Sequence, residues 1–286
     1  MPYFSIIIPS YNRAHIITRA VQGILDQTFQ DFELCIVDDG STDTTQTVLK
    51  EYLSDTRITC IYQTNSGVSV ARNTGVKEAK GTYLIFLDSD DTVEKSWLQD
   101  FYDALHNNQF DIAYCNITIL KSDGTKKQIQ AANPYGNNRG KGSDIPGSWT
   151  VKKEIFLKVG MYDNQIKFGE NNELRLRFQF ENVKTVLVDK YNFCYHASDD
   201  GGSKNSQNKI NSIEYILNKH KEYYDRNIRV KKLFLQSAAV AAVRIGQVNK
   251  ANELFAKALV DHNRDVKLWL QYFLTFNKYL AKLKWR

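Results

Sequence analysis

The first half of the chain alternates short apolar runs with segments whose apolar residues recur at helical spacing. The runs predict buried strands at residues 4–9, 32–37, 58–62 and 83–87, and the segments between them predict helices at residues 17–25, 42–53 and 68–79. This alternation over short connections is typical of a mostly parallel sheet built through right-handed crossovers. We therefore expect an α/β domain with helices flanking its sheet.

The fourth apolar run ends in the acidic sequence Asp88-Ser89-Asp90-Asp91. Side chains alternate along a strand, so Asp88 and Asp90 are expected on one side, at the carboxyl edge of the sheet where ligands bind in open α/β folds. Two carboxylates on one side suit a hard cation such as Mg²⁺ or Mn²⁺. The alternative is a solvated acidic turn that caps the next helix.

The second half is less regular until residue 208. It predicts a strand at 110–120 with a hairpin partner at 126–130, helices at 152–158 and 170–181, and a strand at 185–195. Loops rich in polar residues and Gly are predicted at 133–148 and 198–207. From residue 209 the pattern is helical throughout, with a hairpin that turns near Gly246 and a last helix at 265–286. We place a domain boundary between residues 208 and 209.

Charge separates these two parts of the chain. Residues 209–286 carry 16 Lys and Arg against 6 Asp and Glu, a net +10, whereas residues 1–208 carry 22 against 26, a net −4. A mildly acidic body argues against nucleic-acid binding. The basic, aromatic-rich last helix suits an anionic membrane surface, a dimer contact, or packing on the main domain.

The sequence contains no 18-residue apolar run and no signal-peptide pattern, which predicts a cytoplasmic protein, with the membrane surface left open as a peripheral site. The four cysteines lack a CxxC spacing and are expected to be reduced thiols.

Four stretches, at residues 5–12, 36–43, 65–75 and 86–91, carry a family resemblance. They include Ser5-Ile6-Ile7-Ile8-Pro9-Ser10-Tyr11-Asn12, Val37-Asp38-Asp39-Gly40-Ser41, Ala71-Arg72-Asn73 and Asp88-Ser89-Asp90-Asp91. In order and spacing they resemble the inverting family 2 glycosyltransferases of GT-A fold, and the resemblance thins through residues 149–205. It implies a GT-A domain at 1–208, with a nucleotide-sugar-binding half at 1–100 and an acceptor-binding half at 101–208. The helical appendage predicted at 209–286 lies outside the resemblance.

The resemblance also implies a set of nucleotide-binding residues. The ring of Tyr11 would lie against the base, and Asp39 would accept a hydrogen bond from the base's ring N–H, which favours uracil. Arg72 would steady the base or the diphosphate. The full set is Pro9, Tyr11, Asp38, Asp39, Gly67, Arg72, Asp88 and Ser89.

A metal site and an acceptor contact follow from the same resemblance. Asp88 and Asp90 match the family's DxD-type motif, in which Asp90 would be the more direct ligand of Mn²⁺ or Mg²⁺. His196 falls near a position where some relatives place an additional metal or diphosphate contact, with a structural role as the alternative. Trp149 is equally suited to stack on a sugar face or to lie in the core.

The general base is where the sequence departs from the family. The base is usually the Asp of a Glu-Asp pair at the start of a helix, but this chain has Glu170-Asn171 there, and an amide cannot accept the proton. Three alternatives remain: Glu170 or Glu173 is the base, the chain binds donor without turnover, or the motif lies a few residues away. The candidate catalytic residues are Glu170, Asn171 and Glu173.

The predicted function is a metal-dependent inverting glycosyltransferase. It would move a sugar from a nucleotide-sugar, favoured to be UDP-linked, to a saccharide or lipid-linked acceptor in surface polysaccharide synthesis. The alternative is a catalytically impaired nucleotide-sugar-binding scaffold. A sugar-nucleotide-forming nucleotidyltransferase and a dinucleotide-dependent oxidoreductase are disfavoured, because the first strand is followed by Pro9-Ser10-Tyr11-Asn12 and not by a Gly-rich phosphate loop.

Overall fold

A computed structural model of the protein describes residues 1–107, 109–131, 145–197, 205–260, 269–270 and 272–273. Contacts divide the chain into two compact units. The first contains residues 1–164 and 170–199, and the second contains residues 165–169 and 200–286.

The strands of the first unit form one sheet. In chain order they are β1 (Phe4–Ser10), β2 (Phe32–Asp38), β3 (Ile58–Tyr62), β4 (Tyr83–Phe86), β5 (Thr92–Val93), β6 (Ile112–Leu120), β7 (Lys126–Ile129), β8 (Trp149–Lys152) and β9 (Thr185–His196). Its helices are α1 (Ile17–Leu25), α2 (Thr45–Lys50), α3 (Val68–Glu78), α4 (Trp97–Leu105), α5 (Lys153–Lys158) and α6 (Glu170–Phe180). Every strand and helix predicted for residues 1–197 is present, although α2 is shorter than predicted.

The strand order across the sheet is β3-β2-β1-β4-β8-β6-β9-β5, with β7 paired to β6. Strands β1 to β4 pair in parallel as predicted. Beyond β4 the sheet is mixed, because β8 pairs antiparallel with both β4 and β6. The sequence analysis missed β8 and the two-residue β5, since each run is too short to show a period.

Alternate residues of the central strands enter different cores, because successive side chains point to opposite faces of a sheet. Ile6 and Ile8 of β1 pack on the face covered by α1 and α4, whereas Ile7 packs on the face covered by α3, α5 and α6. The apolar runs of β1 and β4 are therefore buried on both faces, which explains why they lack polar alternation.

One glycine sets the distance between α3 and the sheet. A Cβ added at Gly75 would lie 2.6 Å from Cγ2 of Ile7 on β1. The missing side chain lets α3 approach β1 closely. Since α3 also carries Arg72, this contact positions one of the predicted site residues.

The second unit is helical in its described part. Its helices are α7 (Ser206–Lys219), α8 (Lys221–Arg226), α9 (Ile228–Arg244) and α10 (Val248–Val260). The predicted hairpin is present as α9 and α10, with Gly246 in the left-handed region at φ +77°. The predicted boundary after residue 208 falls inside α7.

None of the helices that the structure describes combines the length and hydropathy needed to span a bilayer. The loops predicted at 133–148 and 198–207 and the helix predicted at 265–286 lie largely outside the described residues.

Candidate active site

Four of the predicted nucleotide residues, Tyr11, Asp39, Asp88 and Ser89, follow the carboxyl ends of parallel strands. Tyr11 comes directly after β1 and leaves 46% of its surface exposed, so its ring is open to a ligand. The loop after β1 is tied to the loop after β2, because the Asn12 amide oxygen accepts from the Thr42 backbone N–H at 2.7 Å and the Ser41 hydroxyl accepts from the Asn12 N–H at 2.8 Å. Pro9 is buried within β1.

Two aspartates, Asp38 at the end of β2 and Asp39 directly after it, organise neighbouring backbone. Asp38 is buried and accepts a hydrogen bond from the Ser41 N–H at 3.0 Å, while its second oxygen has no partner among the described residues. Asp39 accepts from the N–H groups of Ser66 at 2.9 Å and Gly67 at 2.8 Å. The Asp39 carboxylate therefore holds the loop that leads into α3, which sequence reasoning did not foresee beside its predicted contact with the base.

Arg72 of α3 lies at the centre of the site, with only 2% of its side chain exposed. Its guanidinium donates to Asp88 at 2.8 Å and to Glu170 at 2.9 Å. Burial alone would lower the pKa of Arg72, but the negative charges of Asp88 and Glu170 outweigh it and raise that pKa. Arg72 thus stays charged and joins the predicted metal motif to the predicted catalytic helix, although Glu170 lies 98 residues after Arg72 in the sequence.

The acidic motif after β4 is partly buried. Ser89 is 6% exposed, and the backbone carbonyl of Asp90 accepts a hydrogen bond from Arg19. Asp91 is fully buried and accepts from the His196 N–H at 2.8 Å. Burial, with the neighbouring charge of Asp88, raises the pKa of Asp91 well above its usual range.

The imidazole of His196 is engaged by a neighbouring hydroxyl. Its Nε2 lies 2.9 Å from the Thr92 Oγ1 across the β5–β9 pair. Burial and the nearby charge of Arg19 lower the pKa of His196, so the ring is neutral at pH 7. This placement matches the structural alternative left open for His196, and its predicted metal or diphosphate contact stays a prediction.

The donor groups near Asp88 and Asp90 are carboxylate oxygens, the ligands that Mg²⁺ and Mn²⁺ prefer. Within the described residues, no group of three or more His, Cys, Asp or Glu side chains is arranged to hold a metal ion. Asp88 and Asp90 would supply two of the oxygen ligands of a cation at this site.

The three candidate catalytic residues lie on the first turn of α6 but differ in surroundings. Glu170 is 13% exposed, and its Oε1 accepts from Arg72 and, at 3.1 Å, from the Asn171 amide. Glu173 is fully buried and receives a forked hydrogen bond from Arg177 at 2.7 to 3.1 Å. Glu170 is thus partly exposed, whereas Glu173 is committed to an internal ion pair.

Trp149 lies in the core at the start of β8. Its ring is 5% exposed and packs against Phe86 at 5.7 Å and Phe178 at 6.2 Å between ring centroids. Stacking on a sugar needs an open ring face, so this burial favours the core alternative that the sequence left open.

A known protein family matches the part of the chain that contains the predicted nucleotide-binding residues. The family model described as "Glycosyl transferase family 2" matches residues 5–156, more than half of the sequence. The chain belongs to glycosyltransferase family 2.

Individual relatives agree with this membership. The uncharacterized glycosyltransferase EpsJ of Bacillus subtilis is 31% identical over 68% of this chain and 61% of its own length. The poly(ribitol-phosphate) beta-N-acetylglucosaminyltransferase TarP of Staphylococcus aureus is 28% identical over 76% of this chain and 58% of its own length. The family 2 chain described here thus spans about three fifths of these curated relatives.

The fold has a solved counterpart. The crystal structure of S. aureus TarS residues 1–349 in complex with UDP-GlcNAc aligns over 98% of this chain and 91% of that one, with a TM-score of 0.66 at 18% identity. The predicted GT-A fold with a helical C-terminal region is confirmed.

Sequence reasoning missed two residues of this family 2 site. Tyr162 hydrogen-bonds to Asn171, and Asn73 hydrogen-bonds to the backbone of Tyr162. Tyr162 lies in a loop without a periodic pattern, which is why it was missed. Asn73 stood inside a recognised motif, beside Arg72, and that adjacency was the available signal.

Proposed function

We propose that this chain is a metal-dependent, inverting glycosyltransferase that moves a sugar from a UDP-sugar to a saccharide or lipid-linked acceptor in surface polysaccharide synthesis. One observation carries the proposal. The buried Arg72 guanidinium holds Asp88, from the donor motif, and Glu170, at the start of α6, within one hydrogen-bonded centre. A transferase needs its leaving group and its base close together, and this ion-paired centre supports that arrangement.

Donor binding is assigned to the carboxyl edge of the parallel strands. The exposed ring of Tyr11 is available to the base, and the loop held by Asp39 is available to the nucleotide. Pro9, Asp38, Gly67 and Ser89 complete the proposed nucleotide site. The TarS complex with UDP-GlcNAc, a protein of the same fold, supports a UDP-sugar as donor.

Mn²⁺ or Mg²⁺ would be held by Asp90 and Asp88. When bound, such an ion neutralises charge on the diphosphate as the nucleotide leaves. Arg72 keeps a fixed positive charge beside Asp88, and the lowered pKa of His196 keeps that ring uncharged near the same motif.

Glu170 is the proposed general base. Both hydrogen bonds to its carboxylate reach Oε1, and among the described residues Oε2 accepts none. Oε2 is therefore free to take the proton of the acceptor hydroxyl. As the proton leaves, the acceptor oxygen attacks the anomeric carbon from the face opposite the diphosphate. The ion pair with Arg177 removes Glu173 from this role.

Calorimetric titration of UDP with and without Mn²⁺ tests the donor site. We expect binding that requires the metal and is lost in Asp90→Ala. Glu170→Gln should bind UDP normally but lose turnover of the donor by two orders of magnitude or more, about the contribution of a general base. Glu181→Gln makes the same chemical change at the far end of α6 and should leave turnover unchanged. Metal-independent binding, or full turnover in Glu170→Gln, would contradict the proposal.

A nucleotide-sugar-binding scaffold is the second candidate, because Asn171 stands where the family's base is expected and its amide accepts no proton. In that case UDP would bind with metal, and Glu170→Gln would have no turnover to lose. Asn171→Asp would then be the variant expected to gain turnover.

The acceptor and the C-terminal region have their own supporting observations. TarP, the poly(ribitol-phosphate) beta-N-acetylglucosaminyltransferase, supports a surface polymer as acceptor. Trp269, Leu270 and Phe273 are exposed in the basic C-terminal region, and we propose that this region meets the cytosolic face of the membrane. More of the protein should then co-sediment with vesicles containing anionic phosphatidylglycerol than with vesicles of phosphatidylcholine alone. Equal co-sedimentation with both kinds of vesicle would argue instead for a homodimer contact, which light scattering would measure.

A further inference from the structure

The loop between α5 and α6 is held in an unusual conformation directly before Tyr162. Gly160 has φ +91° and Met161 φ +60°, so two consecutive residues lie in the left-handed region, which long side chains rarely adopt. Asn73 holds the next residue at both backbone groups. Its amide nitrogen donates to the Tyr162 carbonyl at 2.8 Å, and its amide oxygen accepts from the Tyr162 N–H at 3.0 Å.

The clamped Tyr162 contacts both groups that hydrogen-bond to Glu170. Its hydroxyl donates to the Asn171 Oδ1 at 2.8 Å, and the Arg72 guanidinium lies 5.2 Å from the centre of its ring. Tyr162 itself is 2% exposed and does not reach solvent. Contacts inside the fold thus fix the position of Tyr162, and Tyr162 in turn contacts Asn171 and Arg72 of the site.

The direction of each hydrogen bond follows from the chemistry of the groups. An ionised Glu170 carboxylate only accepts, so Asn171 must turn its NH₂ toward Glu170 and its oxygen toward Tyr162. An amide oxygen only accepts, so the Tyr162 hydroxyl must donate. Burial raises the pKa of Tyr162, which keeps that hydroxyl protonated and able to donate.

From these contacts we infer that Tyr162 is a positioning residue for Glu170, acting through the side-chain amide of Asn171 and itself held by Asn73. The relay Asn73–Tyr162–Asn171 fixes the Asn171 NH₂ and, with Arg72, turns Oε1 of Glu170 inward so that Oε2 faces the acceptor. Asn171 is then a hydrogen-bond relay and not a base. This inference rests on the proposed function in so far as Glu170 is the base.

The first test needs no turnover. The side-chain ¹⁵NH₂ signals of Asn171, assigned by their loss in Asn171→Ala, should exchange slowly with water in the unaltered protein. Tyr162→Phe keeps the ring over Arg72 and removes only the hydroxyl, and should shift these signals and speed their exchange. Tyr83→Phe is the matched control, because it removes another buried tyrosine hydroxyl, which donates to the Phe110 carbonyl at 2.9 Å. An Asn171 signal that responds no more to Tyr162→Phe than to Tyr83→Phe would overturn the relay.

The second test separates positioning from general stability. With UDP-GlcNAc and Mn²⁺, Tyr162→Phe should lower kcat for UDP release about tenfold while KM stays within about twofold, the size of effect expected for one buried hydrogen bond between neutral groups. In an Asn171→Ala background the same change should add nothing, because the relay is already broken. Additive losses would overturn the relay.

A third outcome separates the relay from the proposed function. If Glu170→Gln keeps full turnover while Tyr162→Phe still alters the Asn171 amide signals, the relay is supported and Glu170 is not the base.

Discussion

Replacing Arg72 by Met is the most informative single change that the structure suggests. Met fills a similar volume but leaves Asp88 and Glu170 facing each other without a positive charge between them. Removing one partner of a buried ion pair costs about 3–5 kcal/mol. Because the Asp88 side chain is 30% exposed and partly solvated, we expect the lower end, about 3 kcal/mol.

The assay is urea unfolding followed by near-ultraviolet circular dichroism, without nucleotide or metal. Arg72→Lys keeps the charge but loses the forked hydrogen-bonding geometry of the guanidinium. Its free energy of unfolding should lie between those of Arg72→Met and the unaltered protein. The triple variant Arg72→Met, Asp88→Asn, Glu170→Gln removes every charge of the centre and should recover stability to within about 1 kcal/mol of the unaltered protein.

Two outcomes would refute this reasoning. A loss below about 1 kcal/mol in Arg72→Met would mean that the two carboxylates separate and reach water at little cost. A triple variant no more stable than Arg72→Met would mean that the loss came from packing of the guanidinium, for example over the Tyr162 ring, and not from the unpaired charges.

Two further predictions concern the core. Gly75→Ala should lower the free energy of unfolding by about 1–3 kcal/mol through overpacking against Ile7. The control is Gly23→Ala on α1, where a Cβ would lie 3.7 Å from Val93, and it should be neutral or stabilising by up to about 1 kcal/mol. Equal melting temperatures for the two variants would contradict the close contact of α3 with β1. Burial raises the pKa of Cys35 to about 12 and that of Cys60 to about 11, from an ordinary value of 9.0. Both folded-state pKa values exceed the unfolded ones, so this contribution to stability is complete below about pH 9 and is lost as pH rises through 11 to 12. At pH 8 these thiols should therefore react with Ellman's reagent far more slowly in the folded protein than in urea, and equal rates would refute their burial.

Much of the site could be predicted because it is local in sequence. Strands β1, β2 and β4 are mostly apolar, and the polar residues that the sheet gathers at one edge, such as Tyr11, Asp38 and Asp88, lie at or just after the ends of these strands. Parallel pairing brings the ends of such strands together whatever the intervening residues are. The family resemblance added roles to those positions but did not change where they lie.

The sequence by itself determined the parallel half of the sheet, its acidic edge and the helical hairpin of the second unit, since each follows from side-chain periods within about a dozen residues. Only the tertiary structure decided that β8 enters the sheet antiparallel beside β4, that Trp149 is core, and that Glu173 is held by Arg177. It also decided that Arg72 meets Glu170 and that Asn73 clamps Tyr162, pairs separated by 98 and 89 residues. Contacts at such separations depend on how elements pack against one another, and no periodicity along the chain encodes them.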